Sequence, residues 1–343
     1  MQKNIIYLSH AERNPSGGAK IIYHHSEIIN NYKNFSSQVL HIKKKKLSKW
    51  KTSIKKKLKL KESNETGWQI NQIEAVKKFK YKWFDHNIKV KNSLLFDKNR
   101  DFVILPEIFA HLASELLIKK KIKYAVFVQN GYSIASTNNE KKLKKAYLNA
   151  CFILSYSDDI TKCIKLKFPN IKTRIIKISY AININKIKIS KKQNLITFMS
   201  RKLPQHSNLV LNYLRNYLPK KWSIKDLNNL NEKTTYEYLR RSKIFLAFSS
   251  LEGLPLPPVE AALAKNYIIG YTGEGGSEYW IEPIFTKIYS GDINHFVRNI
   301  IEKIKQLNNK DNFPIKKYLN LVKKFSKENE IKNINNFLKY IPK

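Results

Sequence analysis

Cysteine is scarce. The 343-residue chain has two, Cys151 and Cys163, twelve positions apart, which gives neither a disulfide framework nor the CxxC spacing of a zinc site. Both read as thiols in a reducing compartment. Glycine and proline are few as well, 10 and 11, while hydrophobic residues make up 42% and aromatics 12%. That apolar content excludes disorder as the main state. Long hydrophobic runs are missing too: none approaches the roughly 18–20 residues of a bilayer span, and Ile5–Leu8 is too short for a signal-peptide core. A cytoplasmic protein is expected, one still able to touch a membrane surface from its inner face.

Acidic residues are the other shortage. Against 65 Lys and Arg stand 26 Asp and Glu, a net charge of +39. The excess is denser in residues 1–180, with 37 basic and 13 acidic side chains, than in 181–343, with 28 and 13. A polyanionic neighbour would account for it. So would an A/T-rich coding sequence, since Ile and Asn are abundant beside Lys and a surface Lys costs a fold little. The segment Lys43–Lys61 concentrates 11 Lys in 19 residues without one acid, with Leu47, Trp50, Ile54 and Leu58 at helical spacing. Such a helix suits an anionic membrane surface, or packs its thin stripe on its own domain. No specific nucleic acid is expected.

Short apolar runs alternate with helical stretches along the chain. Asn4–Ser9 reads as a buried strand, followed by a polar loop and by Gly17-Gly18 opening a helix. Further strands are read at Ser37–Ile42, Phe102–Leu105, Tyr124–Val128, Phe152–Ser155 and Arg174–Ile178. After a polar, lysine-rich stretch at 185–194 the alternation restarts with Leu195–Met199, Trp222–Ile224, Ile244–Phe248 and Tyr267–Gly270. This pattern predicts an α/β protein of two doubly wound domains in tandem, 1–184 and 195–318, joined by a linker at 185–194. Ligands of such sheets bind beyond the carboxyl ends of the strands. The remaining 319–343 contains an amphipathic helix, Ser326–Tyr340, with Ser326 as its N-cap.

The chemistry concentrates in Ser249–Leu263. Glu252 lies at the carboxyl end of a buried strand. Glu260 follows eight positions later, in the first turns of a helix started by Pro257 and Pro258. A carboxylate can accept two hydroxyl hydrogen bonds at once, so the pair suits a sugar and a ribose diol, and amides at the helix start favour an anion beside them. Taken alone, a Glu in a first helical turn is also ordinary dipole complementation.

The spacing Glu-x7-Glu in an EGxxxPxxEA frame resembles the signature of the retaining glycosyltransferases of family 4. Three further stretches resemble that family in the same order: Gly17-Gly18, Arg201-Lys202, and Gly275-Gly276-Ser-Glu278. The resemblance implies a GT-B fold of two Rossmann-like domains facing across a cleft, the first on the acceptor side, the second binding the nucleotide sugar, and a last helix packing back on the first domain. It implies that Glu260 holds the donor ribose, that Glu252 contacts the transferred sugar, and that Arg201 with Lys202 neutralises the diphosphate. Amides around Gly17, Gly18, Gly253, Leu254, Gly275 and Gly276, together with Glu278, would complete the donor site. In retaining transfer the leaving diphosphate itself can take the acceptor's proton, so the enzyme chiefly positions and neutralises. No metal cluster is visible in the sequence. No cofactor is implied either, the nucleoside diphosphate sugar being a substrate and a glycan or lipid-linked molecule the acceptor.

The chain departs from the family pattern at three places. His206 stands where many relatives have a Lys, leaving the second cation to Lys202 or to a weaker His206 contact. Glu252-Gly-Leu-Pro255 replaces EGFG, so Pro255 removes one amide donor. After the strand Tyr124–Val128 many relatives carry a His, whereas this chain has Gln129 and Asn130, candidates for acceptor or sugar contacts that also read as a polar turn. Gly17-Gly18-Ala-Lys20 lacks the spacing of an NTPase loop, Gly273–Gly276 is not GxGxxG, and Ser155 and Ser157 have no GxSxG frame. His24 and His25, side by side on the first helix, read as packing or surface residues. The sequence thus predicts a retaining glycosyltransferase of cell-surface polysaccharide or lipopolysaccharide assembly. The alternatives are a non-catalytic GT-B-like module that binds nucleic acid or anionic lipid through its charge, and a sugar phosphorylase on the same scaffold.

Overall fold

The computed structural model describes residues 2–11, 16–45, 68–81, 84, 86–136, 139–183 and 190–342. It divides into two compact units. The first is Met1–Ser155, Ile160–Ile178 and Ile331–Lys343, and the second is Tyr156–Asp159 and Ser179–Glu330. The basic segment 46–61 and the first half of the stretch read as a linker, 185–189, lie outside the described residues.

The first unit is built on eight strands: β1 (Lys3–His10), β2 (Phe35–Lys44), β3 (Ile73–Ala75), β4 (Val90–Lys91), β5 (Asp101–Pro106), β6 (Lys123–Val128), β7 (Ile153–Ser155) and β8 (Ile175–Lys177). Their order is β3-β2-β1-β5-β6-β7-β8, with β4 also on β2. All pairings are parallel except β2 with β3. Ile5, Ile6, Tyr7 and Leu8 are wholly buried, the continuous apolar run of a strand covered on both faces. Helix α1 (Gly17–Ile29) is capped by Ser16, whose hydroxyl accepts from the Ala19 amide, and buries Ile21, Ile22, Ile28 and Ile29. Each such side chain contributes about 1.5–3 kcal/mol when removed from water. His25 is fully buried too and stacks on Phe127. Further helices are α2 (Ala113–Leu116), α3 (Glu140–Asn149) and α4 (Asp158–Lys167).

The second unit carries five parallel strands, β9 (Leu195–Phe198), β10 (Ser223–Asp226), β11 (Ile244–Glu252), β12 (Tyr267–Glu274) and β13 (Phe285–Lys287), in the order β10-β9-β11-β12-β13. Helices α5 (Pro204–Leu214), α6 (Glu232–Arg241), α7 (Leu256–Leu263), α8 (Ile293–Asn309) and α9 (Ile315–Lys324) connect or follow them. In α8 the buried residues Phe296, Val297, Ile300, Ile304 and Leu307 fall on one face, and they join Phe248, Ile269 and Tyr271 in one core.

The terminal amphipathic stretch becomes α10 (Lys327–Leu338), and the Ser326 hydroxyl accepts from the Asn329 amide as its cap. The unit boundary falls inside this helix: residues 319–330 cluster with the second sheet and 331–343 with the first. In the first unit Phe337 lies 6.1 Å from Phe152, ring to ring, and the Tyr340 hydroxyl accepts from Arg174.

Candidate functional site

Both sheets have a point where the strand order reverses, and several of the singled-out residues lie at these two points. In the first unit β1 leads through α1 to β2 on one side, while β5 leads to β6 on the other. Their carboxyl ends therefore open a crevice. Gly17 and Gly18 begin α1 there, and among the described residues neither amide has an acceptor within the protein, the condition in which a helix start favours an anion. The Gln129 carboxamide donates to the Gly18 carbonyl at 3.0 Å, and a Cβ on Gly18 would stand 2.3 Å from Gln129 Oε1. That oxygen is the far end of a flexible side chain, so a Cβ here would displace the Gln129 carboxamide and would meet no backbone.

Glu107, which the sequence reading passed over, organises this corner. It follows β5 directly, is 6% exposed, and its two carboxylate oxygens accept from the amides of Gln129 and Asn130 at 3.0 Å each. Burial pushes its carboxyl up to about 7 against the pull of those donors. The signal was a charged residue directly after a buried strand and a proline, Leu105-Pro106-Glu107, at the sheet end where ligands bind. Asn130 Oδ1 accepts from the Tyr132 amide at 3.0 Å, so its side chain forms the polar turn that the sequence allowed.

In the second unit the reversal lies between β9 and β11. Arg201 and Lys202 follow β9 and are exposed. Glu252 ends β11 after a bulge between Ser249 and Glu252 that holds Leu251 at φ 48°. A leucine in that left-handed region costs about 1–2 kcal/mol, and the bulge re-aims the strand end. Burial raises the Glu252 carboxyl above its ordinary value, while Lys202, Arg201 and a hydrogen bond from the Ser250 backbone pull it down. Desolvation outweighs the two cations, so the three side chains form a group whose charges act on one another. Among the described residues the amides of Gly253 and Leu254 have no acceptor within the protein, whereas the Gly253 carbonyl accepts from the Ser157 hydroxyl at 2.7 Å.

Glu260 lies one turn into α7, and its Oε1 accepts from the buried Tyr236 hydroxyl of α6 at 2.9 Å. Lys192 ties these two helices together, donating to the Ser242 and Ala264 carbonyls just beyond their last turns. Tyr279, fully buried, donates to the Pro255 carbonyl at 2.6 Å and fixes the entry to α7.

Four features of the fold bear on the expected contacts. The start of α7 offers few free amides, because its second and third residues are Pro257 and Pro258, which carry no N–H. The Gly275 amide donates to the Glu252 carbonyl and the Gly276 amide to the Thr272 carbonyl, so both are taken by the protein itself. What Gly275 supplies is room: a Cβ would sit 2.0 Å from the Gly253 carbonyl oxygen. Glu278 accepts from the Asp158 amide at 2.9 Å and pairs with Lys324 at 3.1 Å, a commitment within the fold. His206 meets the Tyr271 hydroxyl at 3.1 Å through Nδ1 and packs edge-on against that ring.

No protein-family model and no curated sequence matches the chain. Solved structures do match it. TarM from S. aureus, seen with Fondaparinux, alpha-GlcNAc-glycerol and UDP, is similar at TM-score 0.63 and 13% identity over 99% of both chains. HepE from Anabaena, in complex with UDP and glucose, is similar at TM-score 0.65 and 10% identity, covering 99% of this chain and 100% of its own. The pneumococcal O-GlcNAc transferase GtfA, with UDP and GlcNAc, matches at TM-score 0.51 and 15% identity over 71% of this chain. This chain spans 57% of that protein's length. The fold is GT-B, with an α/β Rossmann-like sheet in each unit.

Proposed function

We propose that this chain is a retaining glycosyltransferase, similar to family 4, that moves a sugar from a nucleoside diphosphate sugar to a glycan or lipid-linked acceptor in cell-surface polysaccharide or lipopolysaccharide assembly. The observation that carries the reading is the grouping of Arg201, Lys202 and Glu252 at the reversal point of the second sheet, with Glu260 on the next helix. Three GT-B proteins of similar fold were seen with UDP, which supports a uridine diphosphate donor.

In this reading the second unit takes the donor. Glu260, oriented by Tyr236, accepts from the ribose diol, and the planar guanidinium of Arg201 grips diphosphate oxygens with Lys202 beside it. As the glycosidic bond breaks, negative charge grows on the leaving phosphate, and these two cations stabilise it more in the transition state than in the ground state. Glu252, with the open amides of Gly253 and Leu254, holds the sugar. The acceptor's proton passes to the departing diphosphate on the same face. Because Arg201 and Lys202 supply the positive charge, turnover is expected to survive chelation of divalent metals. The first unit takes the acceptor near Gln129 and Asn130. Among the described residues no helix is long and apolar enough to cross a membrane, and we place the protein peripherally, on an anionic inner surface.

The test is a thermal-shift series with UDP, GDP, ADP, CMP and their sugar conjugates on wild type and Glu260→Ala. A ligand at a hundred times its Kd adds about 2.7 kcal/mol. One base class raising the melting temperature of wild type, and much less that of the variant, supports the reading. A response to anionic vesicles or heparin alone, with no nucleotide response, overturns it in favour of a binding module.

A further inference from the structure

A cavity of about 650 Å³ opens at the opposite end of the first sheet from Gly17 and Gln129, lined by residues at the amino ends of β1, β2 and β5 and by the loop after β4. Its size lies within the roughly 300–1,000 Å³ of small-molecule sites. The floor is fixed: Asn4 donates to Asp101 at 2.9 Å, Ser36 donates to Asn4 at 3.2 Å, and Asp101 also accepts from the Asp97 amide at 3.1 Å. Above that floor stand three further polar side chains. Among the described residues, Gln38, Ser93 and Arg100 make no side-chain hydrogen bond within the protein.

We propose that this cavity is a second binding site and that its ligand is an uncharged sugar residue of an oligosaccharide. The charge balance points there. The chain as a whole carries 65 basic against 26 acidic side chains, yet the cavity holds two of each, Lys91 and Arg100 against Asp97 and Asp101. A site for phosphate or another polyanion would keep the basic excess of its surroundings. This one is locally neutral while dense in planar polar groups. Gln38, Arg100 and the Asp97 carboxylate, whose Oδ1 also accepts from the Asn99 amide at 2.8 Å, supply donors and acceptors suited to vicinal hydroxyls. Leu95, 74% exposed, and the Phe96 ring, over which Lys91 lies 5.7 Å from the centroid, give an apolar wall. Hydroxyls on the edge and C–H bonds on the face are the two sides of a pyranose.

His10 lies six positions along the strand from Asn4, so the cavity lies about 20 Å along β1 from the carboxyl-end crevice. It can therefore hold a remote unit of a chain whose end reaches the crevice, raising the local concentration of that end. This use rests on the proposed transferase reading. The sugar binding itself does not.

The experiment is calorimetric titration of the full chain with neutral oligosaccharides of glucose, galactose, N-acetylglucosamine and rhamnose, two to six residues long, with inorganic phosphate and heparin fragments alongside. The expected result is saturable binding of at least one neutral oligosaccharide, insensitive to salt, weakened tenfold or more by Gln38→Ala with Arg100→Ala, and unchanged by Glu260→Ala. Glu260→Ala separates this site from the donor site, so loss of nucleotide binding and loss of sugar binding are read independently. Three results overturn the proposal: no oligosaccharide binds, binding persists in the Gln38 and Arg100 double variant, or phosphate and heparin bind with steep salt dependence while the sugars do not. If the double variant does not fold, hydrogen exchange of residues 91–101 in wild type decides, and absence of added protection by any of the sugars overturns the proposal.

Discussion

Replacing Glu107 gives the sharpest prediction, because one side chain holds two backbone donors inside the protein. With alanine the amides of Gln129 and Asn130, each now 3.0 Å from a carboxylate oxygen, lose their acceptors. An unsatisfied buried donor costs about 1–3 kcal/mol, so the pair together costs about 2–6 kcal/mol. Glutamine keeps one acceptor and turns its NH2 towards the other amide, for about half that loss. The pH dependence separates the charge from the hydrogen bonds. Burial raises the folded carboxyl from 4.5 to about 7, so between those values the folded state holds a proton that the unfolded state has released. The associated stability is fully present below about 4.5 and is lost as pH rises through 7. At about 1.4 kcal/mol per unit this amounts to about 3 kcal/mol across the window. A chain of two units need not unfold in one step, so the readout is native-state hydrogen exchange at the Gln129 and Asn130 amides, in wild type and Glu107→Gln, from pH 5 to 8. After correction for intrinsic exchange rates, the wild-type opening free energy should fall with pH and that of the variant should stay level. Parallel profiles refute the buried titration, and an alanine variant with unchanged protection at both amides refutes the bridge.

Two further perturbations probe the second unit. Gly275→Ala puts a methyl 2.0 Å from the Gly253 carbonyl oxygen and 2.5 Å from that of Glu252; since both are backbone, the expected loss is about 3 kcal/mol or more, read as a lower melting temperature together with weakened nucleotide binding. Tyr236→Phe removes the hydroxyl that Glu260 accepts at 2.9 Å, and should cost about 0.5–1.5 kcal/mol and raise the Kd for the responding nucleotide, while leaving the affinity for neutral oligosaccharides unchanged.

The fold was legible because the long strands of both sheets are parallel and buried. Runs such as Ile5–Leu8 and Ile244–Phe248 have no polar face to keep outside, so they stand out from the helices between them. The short pieces β3, β4 and β13 stayed hidden: two or three residues carry too little pattern, and their pairing is fixed by neighbours distant in sequence. The last helix was placed by its cap and stripe, yet the boundary between the units runs through it at Glu330 and Ile331, a feature of tertiary contacts that periodicity does not encode.

The candidate site was legible where chemistry sits in side chains and obscure where it sits in the backbone. Glu252, Glu260, Arg201 and Lys202 can be picked from a sequence because together they form a pattern that resembles a known family, whereas a Glu in a first helical turn, taken alone, is also ordinary dipole complementation. Amides carry no letter. Whether the N–H of Gly18, Gly253 or Gly276 is open depends on which carbonyl lies behind it, and the structure answers differently for each. Gly276 donates to Thr272, while Gly18 and Gly253 open helix and loop without an acceptor among the described residues. The same reasoning explains Glu107. Its importance comes from two amides 22 and 23 positions away that only the turn after β6 brings to it. The pair Gly275-Gly276 thus marks close approach of backbone to backbone, and the direction of its amides turns that approach to the service of the fold.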